Sequence, residues 1–390
     1  MTTALASMIA AQPDVIASLA APVPAADRLA GARRIWLIGT GTSLHAAELG
    51  ASALETAGLD ARPIAANRFT AVRPGDAAIV ITHTGQTAHA RRSRQIVLDA
   101  GLPLVSITGP DVDWPEAVRT PVAEQSETYT VSYTAALTVL AGLAHHLGAP
   151  GLDPSKIKST AEAVRHVLTD PGIDAVPIPA RAMAIVGPGD WSVTAREGAL
   201  KIREAARLLC EGFDPDRLLH GAAVPYGSAD TLLALAPTDD LTAGLTHAAR
   251  VTGLGVYIFP ATSADAGRSA DSVARAGGGA DAVAGDGADA SARAGGGAGG
   301  GGDATARVGG DGDGRAGGDA GGDATARVGG DGDGRAGGGG GAVAGDGLLD
   351  QIPMTVRLQL LALRFARQRA QNADIAITGA WADHALWEAL

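Results

Sequence analysis

The 390-residue sequence has little of several things, and each shortage removes a class of chemistry. Cys210 is its only cysteine, so an intrachain disulfide and a thiolate metal cluster are both excluded. The opening stretch MTTALASMIAAQPDV has neither the basic n-region nor the sustained apolar core of a signal peptide. No run of about eighteen apolar residues is long enough for a spanning helix. A cytoplasmic protein with no membrane partner is therefore expected. The net charge of −11 gives no electrostatic reason to expect nucleic acid, and no basic patch or helix-turn-helix pattern precedes residue 35. No cluster of His, Asp and Glu has metal-ligand spacing, so neither a metal nor an organic cofactor is expected. The turn after Ile35–Ile38 is not spaced as GxGxxG and no GxxxxGK[ST] occurs, which leaves dinucleotide and Walker-type phosphate sites without support.

Large apolar residues are almost missing from one long segment. Residues 264–347 hold 32 of the 55 glycines, 13 aspartates and 7 arginines, and account for more than half of the net negative charge. Within it GGDATARVGGDGDGRAGG at 301–318 recurs identically at 321–338, a period of 20. A calcium-binding glycine/aspartate β-roll is one reading. The aspartates, however, do not recur in a nonapeptide pattern with an apolar residue per turn, and nothing here could form a core. A disordered Gly/Asp/Ala-rich insertion made by repeat expansion is the expectation.

The rest of the chain alternates short apolar runs with helical stretches. An alanine-rich N-terminal segment is expected to be helical but broken around Pro13 and at Pro22–Pro24. Ile35–Ile38 reads as a strand stopped by Gly39-Thr40-Gly41-Thr42-Ser43, followed by a helix from Leu44 to Ala57. Ala77–Ile81 repeats the plan, with the turn Thr82-His83-Thr84-Gly85-Gln86-Thr87 and a helix to about Ala100. Further strands are predicted at Leu102–Ile107 and Thr120–Glu124, and a buried helix at Ser132–Leu147. Asp153-Pro154-Ser155 starts a connecting helix to about Asp170. A second round has a strand at Met183–Val186, a helix at Thr194–Leu209, strands at Leu232–Leu235 and Val256–Phe259, and a closing helix at Pro353–Gln371. This alternation predicts an α/β fold built from βαβ units, in two similar halves.

Three constellations carry chemistry. The Gly39–Ser43 turn would let backbone N–H groups at a helix N-terminus approach an anion; a tight turn with Ser43 as a helix cap explains it equally. Thr82, Thr84 and Thr87 could converge on one phosphate where a strand becomes a helix, and such turns open on the sheet edge where α/β ligands bind. Capping is the competing explanation, although it needs one hydroxyl and not three. In the helix Arg196-Glu197-Gly198-Ala199-Leu200-Lys201-Ile202-Arg203-Glu204, Lys201 and Glu204 share a face. Lysine is scarce, with Lys156, Lys158 and Lys201 against 28 arginines, yet spacing alone is satisfied by a solvated ion pair. His220 by itself is more often structural than catalytic.

Taken in order, these residues resemble the isomerase half of glutamine–fructose-6-phosphate aminotransferase and its sugar-isomerase (SIS) relatives. Met8 to Pro13 is similar to that half's opening M-x-x-E-I-x-E-Q-P, and Gly41-Thr42-Ser43 to its G-T-S. Thr82–Thr87 resembles its S-Q-S-G-E-T phosphate loop, and Glu127–Thr134 its E-x-x-V-A-S-T-K segment. Glu197–Glu204 with Glu211 and His220-Gly221 resembles E-G-A-L-K-L-K-E…E…K-H-G, and Ile352-Pro353 with Gln359–Ala362 its closing I-P-x-Q-x-L-A helix. The resemblance spans residues 8–372 apart from the insertion.

It implies two tandem SIS domains of flavodoxin-like form, each a parallel sheet with helices on both faces. The divisions would be an N-terminal helical segment at 1–30, SIS domain 1 at 31–150, a connecting helix at 151–175 and SIS domain 2 at 176–390, interrupted by 264–347. It also implies a homodimer with a shared active site and a small-molecule phosphosugar as ligand. Thr42, Ser43, Thr82, His83, Thr84, Thr87 and Ser132 would then contact phosphate or sugar. Glu204 would move a proton between C1 and C2 with Lys201 beside it, and His220 from the partner subunit would assist ring opening. The expected activity is a phosphosugar isomerase or amino-sugar-phosphate deaminase/isomerase acting on a hexose or hexosamine 6-phosphate. A non-catalytic phosphosugar sensor is the alternative. The departures are His83 in place of glutamine, threonines for both loop serines, no glutaminase domain in this sequence, and no lysine after Lys201. Glutamine is accordingly not expected as nitrogen source, a covalent imine through the tail is excluded, and His384 could substitute only as a polar contact.

Overall fold

The computed structural model describes residues 3–261 and 347–383. The expected insertion, apart from Gly347, and His384 lie outside the described residues. Helix α1 (Ala4–Ser18) leads, followed by a 3-10 turn at Pro24–Leu29. The first sheet then contains β1 (Arg34–Gly39), β2 (Ala61–Ala65), β3 (Asp76–Ile81), β4 (Leu104–Thr108) and β5 (Ala117–Arg119), with α2 (Thr42–Glu55), α3 (Ala88–Asp99) and α4 (Val131–His146) around it. Helix α5 (Pro154–Thr169) connects to the second sheet: β6 (Ala182–Val186), β7 (Leu209–Phe213), β8 (Thr231–Leu235) and β9 (Gly255–Phe259). Its helices are α6 (Trp191–Ala206), a short α7 (Pro215–Arg217), α8 (Asp240–Val251) and α9 (Leu348–Gln368).

Both sheets are wholly parallel, and their strand orders correspond. The first runs β2-β1-β3-β4-β5 and the second β7-β6-β8-β9. In each the first strand of the half lies inside, with the second on one side and the third on the other, the doubly wound order of flavodoxin-like sheets. Ile35, Leu37, Ile79, Ile81, Met183, Ile185 and Leu233 share one continuous core with α2, α4, α6 and α9. Gly198 explains how α6 and α9 approach so closely: a Cβ there would lie 2.5 Å from Leu358 Cδ1.

Several boundaries differ from expectation. Helix α1 runs unbroken through Pro13, because the adjacent Gln12 replaces the missing donor. The Gln12 amide donates to Ile9 O (3.3 Å), the carbonyl that a backbone N–H at position 13 would have met. The same amide donates to Gln359 Oε1 (2.7 Å), and Thr134 Oγ1 donates to Gln12 Oε1 (2.8 Å). Leu5, Ile9 and Ile16 hold the helix in the core. The last strand of the first sheet is Ala117–Arg119 and not 120–124: Thr120 ends the pairing with both its N–H and its hydroxyl on Thr108 O (2.8 and 3.0 Å), and Pro121 has no N–H to continue it. Helix α6 stops at Ala206, where Arg207 turns left-handed (φ 52°), so Leu209 begins β7. Strand β2, split from β1 by α2, was not anticipated. The closing helix begins at Leu348 and ends at Gln368, with Pro353 inside it.

Candidate functional site

Glycine at the end of β1 starts the site. A Cβ on Gly39 would lie 2.2 Å from Ser43 O, so only glycine lets the chain fold back tightly into α2. Gly41 (φ 55°, ψ −126°) is the N-cap and has no side chain to satisfy the helix N-terminus. Ser43 therefore sits in the first turn and is not the cap. Thr42, the neighbouring residue, faces α6 of the other half.

There the polar groups connect. Thr42 Oγ1 donates to Glu197 Oε1 (3.1 Å) and accepts from Lys201 Nζ (3.0 Å). His45 Nδ1 lies 2.6 Å from Glu197 Oε2. Lys201 Nζ is 3.5 Å from Glu197 and 2.6 Å from Glu204. Its side chain is only 1% exposed, so the solvated ion pair that spacing allowed is not what forms. Burial pulls the Lys201 ammonium toward neutrality, but Glu197 and Glu204 outweigh it and hold its pKa above the usual value. Burial likewise opposes the Glu197 charge, and Lys201, His45 and Thr42 together keep that carboxyl below its ordinary range. Glu204 goes the other way: burial raises its pKa and the neighbouring Lys201 only partly offsets this. A carboxyl raised in this way exchanges a proton nearer neutral pH, as an acid/base group requires.

The loop after β3 forms the second wall. Thr82 is buried at the strand end, its N–H donating to Ile107 O (3.0 Å). Thr84 and Thr87 are exposed. Thr84 Oγ1 accepts from Gln86 N (3.2 Å). Thr87 is the N-cap of α3, yet its side chain makes no capping hydrogen bond, so capping does not account for it. His83 turns away from this loop: Glu124 N donates to its Nε2 (2.9 Å), and its ring packs edge-on against Tyr129 (centroids 5.7 Å apart). Burial pushes the imidazole down, consistent with a neutral ring accepting at Nε2.

Ser132 is 8% exposed at the start of α4. Its N–H (3.0 Å) and hydroxyl (2.8 Å) both donate to Glu124 Oε2, and Thr130 N donates to the same oxygen (3.0 Å). Burial raises the Glu124 pKa against these bonds. The segment behind it is clamped by residues that follow α9. Glu127 Oε2 accepts from Ala376 N (2.9 Å) and Ile377 N (3.2 Å), while Asp374 caps α1 by accepting from Ala4 N and Leu5 N (3.0 and 2.6 Å). His220 stands apart. It lies at a kink before Gly221 (φ 106°), is 73% exposed, and is 3.3 Å from Asp216.

The structure thus brings Thr42, Lys201 and Glu204 together, keeps the Thr82–Thr87 loop and Ser132 on the same half as Thr42, and leaves His220 outside this network. Sequence reasoning missed Glu197, His45 and Glu124. The i,i+4 spacing of Glu197 and Lys201 signalled the first; His45 meets a remote partner in Glu197, and Glu124 bonds the nearby Thr130 and Ser132 across a loop whose form the sequence did not show. Among the described residues no group of His, Cys, Asp and Glu is arranged to hold a metal, and no helix is long and apolar enough to cross a membrane.

A doubly wound α/β protein with an uncapped strand-to-helix edge and a buried Lys–Glu pair belongs to the class whose small ligands bind at the carboxyl ends of the strands. Residues 28–145 match the family model of the SIS domain. Glutamine--fructose-6-phosphate aminotransferase [isomerizing] of Caulobacter vibrioides is 28% identical over 255 residues, 59% of this chain and 42% of that protein. The protein of that name from Pyrococcus horikoshii is 28% identical over 234 residues, 53% of this chain and 38% of its own. The matched region thus spans only about two fifths of these relatives. Among solved structures, the C-terminal domain of glucosamine-fructose-6-phosphate aminotransferase from Francisella tularensis aligns with a TM-score of 0.58 at 18% identity, covering 69% of this chain and 86% of that one. Tagatose-6-phosphate ketose/aldose isomerase from Escherichia coli has a TM-score of 0.56 at 17% identity, with 67% and 82% covered. Glucosamine-6-phosphate deaminase from Thermotoga maritima has a TM-score of 0.56 at 13% identity, with 66% and 85% covered. At these identities the shared feature is the fold.

Proposed function

We propose that this chain is a phosphosugar isomerase, or an amino-sugar-phosphate deaminase/isomerase, acting on a hexose or hexosamine 6-phosphate, with residues 176–390 forming a second SIS domain. The observation that carries the reading is the Lys201–Glu204 pair at 2.6 Å, a buried lysine on a half-buried carboxylate, joined through Thr42 to the strand-to-helix edge of the first sheet. In this reading Ser43, Thr82, Thr84 and Thr87 receive the phosphate, with backbone N–H groups at the starts of α2 and α3. Ser132 contacts a sugar hydroxyl: its own O–H is committed to Glu124, so its lone pairs accept. Glu204 takes the proton from C2 of the aldose and returns it to C1, passing through an enediol or enolamine. Lys201 remains protonated and offsets the negative charge that develops on O1 and O2.

The proposal includes a homodimer. His220 is on an exposed turn between Leu219 (53% exposed) and Val224 (84% exposed), a surface that suits service to a partner's site. It also makes free ammonia the nitrogen partner. Cys210, the one cysteine of the sequence, is buried and its thiol is pushed far up by burial, so it cannot serve as the nucleophile that glutamine hydrolysis would need. The protein is placed in the cytoplasm on the same reading.

Incubation of wild type and Glu204→Gln with glucosamine 6-phosphate and with fructose 6-phosphate, with ammonia and glutamine as alternative donors, tests this. Ketose and ammonia are followed alongside ligand binding. Turnover by the wild type that disappears in Glu204→Gln while binding persists is the expected result. Binding without turnover by the wild type would replace the enzyme reading with that of a phosphosugar sensor.

A further inference from the structure

Beyond the phosphate loop, α3 carries an exposed basic stripe that the reaction above does not use. Gly85, Ala88, Arg91, Arg92 and Gln95 line an open cleft of about 540 Å³, with the stacked Arg94 and Trp114 as a further wall. The positions 88, 91, 92 and 95 are spaced i, i+3, i+4, i+7 and share one helix face. The cleft begins on the loop itself, since Gly85 belongs to both. Helical side chains lean toward the N-terminus, so Arg91 and Arg92 slant back toward Thr84 and Thr87 from about one turn, roughly 5.4 Å, away.

The wall is built and the arginines facing it are not engaged. Arg94 forms a bidentate ion pair with Glu116 (2.5 and 3.0 Å) and lies over the Trp114 ring at 4.4 Å from its centroid. Glu116 is fixed further by Ser106 Oγ (3.0 Å). Gly85 abuts this wall: a Cβ on it would lie 3.1 Å from Val112 and 3.2 Å from Trp114. Small residues at 85 and 88 thus keep the loop end of the cleft open. The Arg94 charge is answered by Glu116, and that of Arg119 by Asp113. Arg91 and Arg92 are exposed and pair with no carboxylate among the described residues. Two unanswered guanidiniums on the helix that follows the exposed Thr84 and Thr87 hydroxyls form a site for two anionic groups on one molecule.

We propose that the cleft is a second anion subsite, and that the ligand held by one phosphate on the Thr82–Thr87 loop carries a second phosphate or a carboxylate that reaches Arg91 and Arg92. This rests on the phosphosugar reading and narrows its substrate or effector class to doubly anionic sugar phosphates. Titration calorimetry with glucose 6-phosphate, glucose 1,6-bisphosphate and 6-phosphogluconate tests it, the last two separating a second phosphate from a carboxylate. At least one doubly anionic sugar is expected to bind wild type about tenfold or more tighter than the monophosphate, with the advantage shrinking as salt is added. The double variant R91A/R92A is expected to lose that advantage, keep the monophosphate Kd, and melt as wild type, because both side chains are exposed. Thr84→Ala with Thr87→Val is expected to weaken all three ligands. Equal affinity of wild type for the three, or an advantage that survives R91A/R92A, overturns the cleft and leaves the loop reading standing. Monophosphate binding untouched by the threonine variant overturns the loop reading instead, and no binding of any of the three overturns both.

Discussion

The two sheets have corresponding strand orders, but their helix N-termini are finished differently. In the first half α2 begins at Gly41 and α3 at Thr87, and neither side chain caps its helix. In the second half both corresponding positions are aspartates. Asp239 caps α8 by accepting from Thr242 N (2.8 Å) and Thr242 Oγ1 (2.6 Å), and Asp190 at the start of α6 accepts from Ser52 Oγ of α2 (2.7 Å). A carboxylate at a helix N-terminus already supplies the negative charge that the dipole favours and excludes a second anion. One topology therefore yields an edge without a carboxylate at its helix N-termini and an edge that carries one at each. The second half contributes instead through α6, where Glu197 and Lys201 are buried against Thr42 of α2 and Glu204 stands half-buried beside Lys201. On the proposed function, binding and proton transfer are divided between the halves.

The largest effect is expected at the charge centre of that division. Lys201→Met leaves the fully buried Glu197 and the half-buried Glu204 without their cation and is expected to cost about 3–5 kcal/mol of stability at pH 7 to 8. The loss should shrink toward pH 5. A carboxyl whose pKa is higher folded than unfolded contributes stability at low pH and loses it as pH rises; denaturant melts across that range check the sign. Glu204→Gln is next, expected to reduce turnover about 10²–10⁴-fold with binding retained. In wild type the acid limb of kcat/KM should fall above the ordinary carboxylate range, because burial raises the Glu204 pKa.

His45→Ala removes a partner of the fully buried Glu197, with an expected cost of about 1–3 kcal/mol; a chemical melt measures it. Thr87→Asp makes the first edge like the second. It should stabilise α3 by about 0.5 kcal/mol through capping and weaken phosphosugar binding at least about tenfold by like-charge repulsion. Asp239→Ala is the reverse control, expected to cost about 1 kcal/mol with phosphosugar affinity unchanged. Affinity lost in Asp239→Ala, or kept in Thr87→Asp, would break the contrast between the two edges.

Much of the fold was legible because apolar runs such as Ala77–Ile81 and Met183–Val186 admit only buried parallel strands when helices separate them. What was misplaced had a remote cause. Helix α1 survives Pro13 because Gln12 finds both Ile9 O and Gln359, the latter 347 residues away. The fifth strand lies at 117–119 because Thr120 pairs off with Thr108. Of the candidate site, Lys201 and Glu204 were legible from spacing, whereas their burial was not. His83, read as a ligand contact from its place in the loop, proved to have its Nε2 accepting from the Glu124 backbone.

By itself the sequence determined the residue types and their local geometry: glycine where β1 must turn within hydrogen-bonding distance of α2, hydroxyls where β3 becomes α3, and a lysine and glutamate three apart on one helix. These follow from interactions within a few residues. Only the tertiary structure decided which groups hold charge. Lys201 is an ammonium because Thr42 and two carboxylates surround it in a buried space, and Glu204 is a raised acid because the same packing removes water from it. Desolvation and Coulomb interaction depend on what the fold brings near, and neither is written in local spacing.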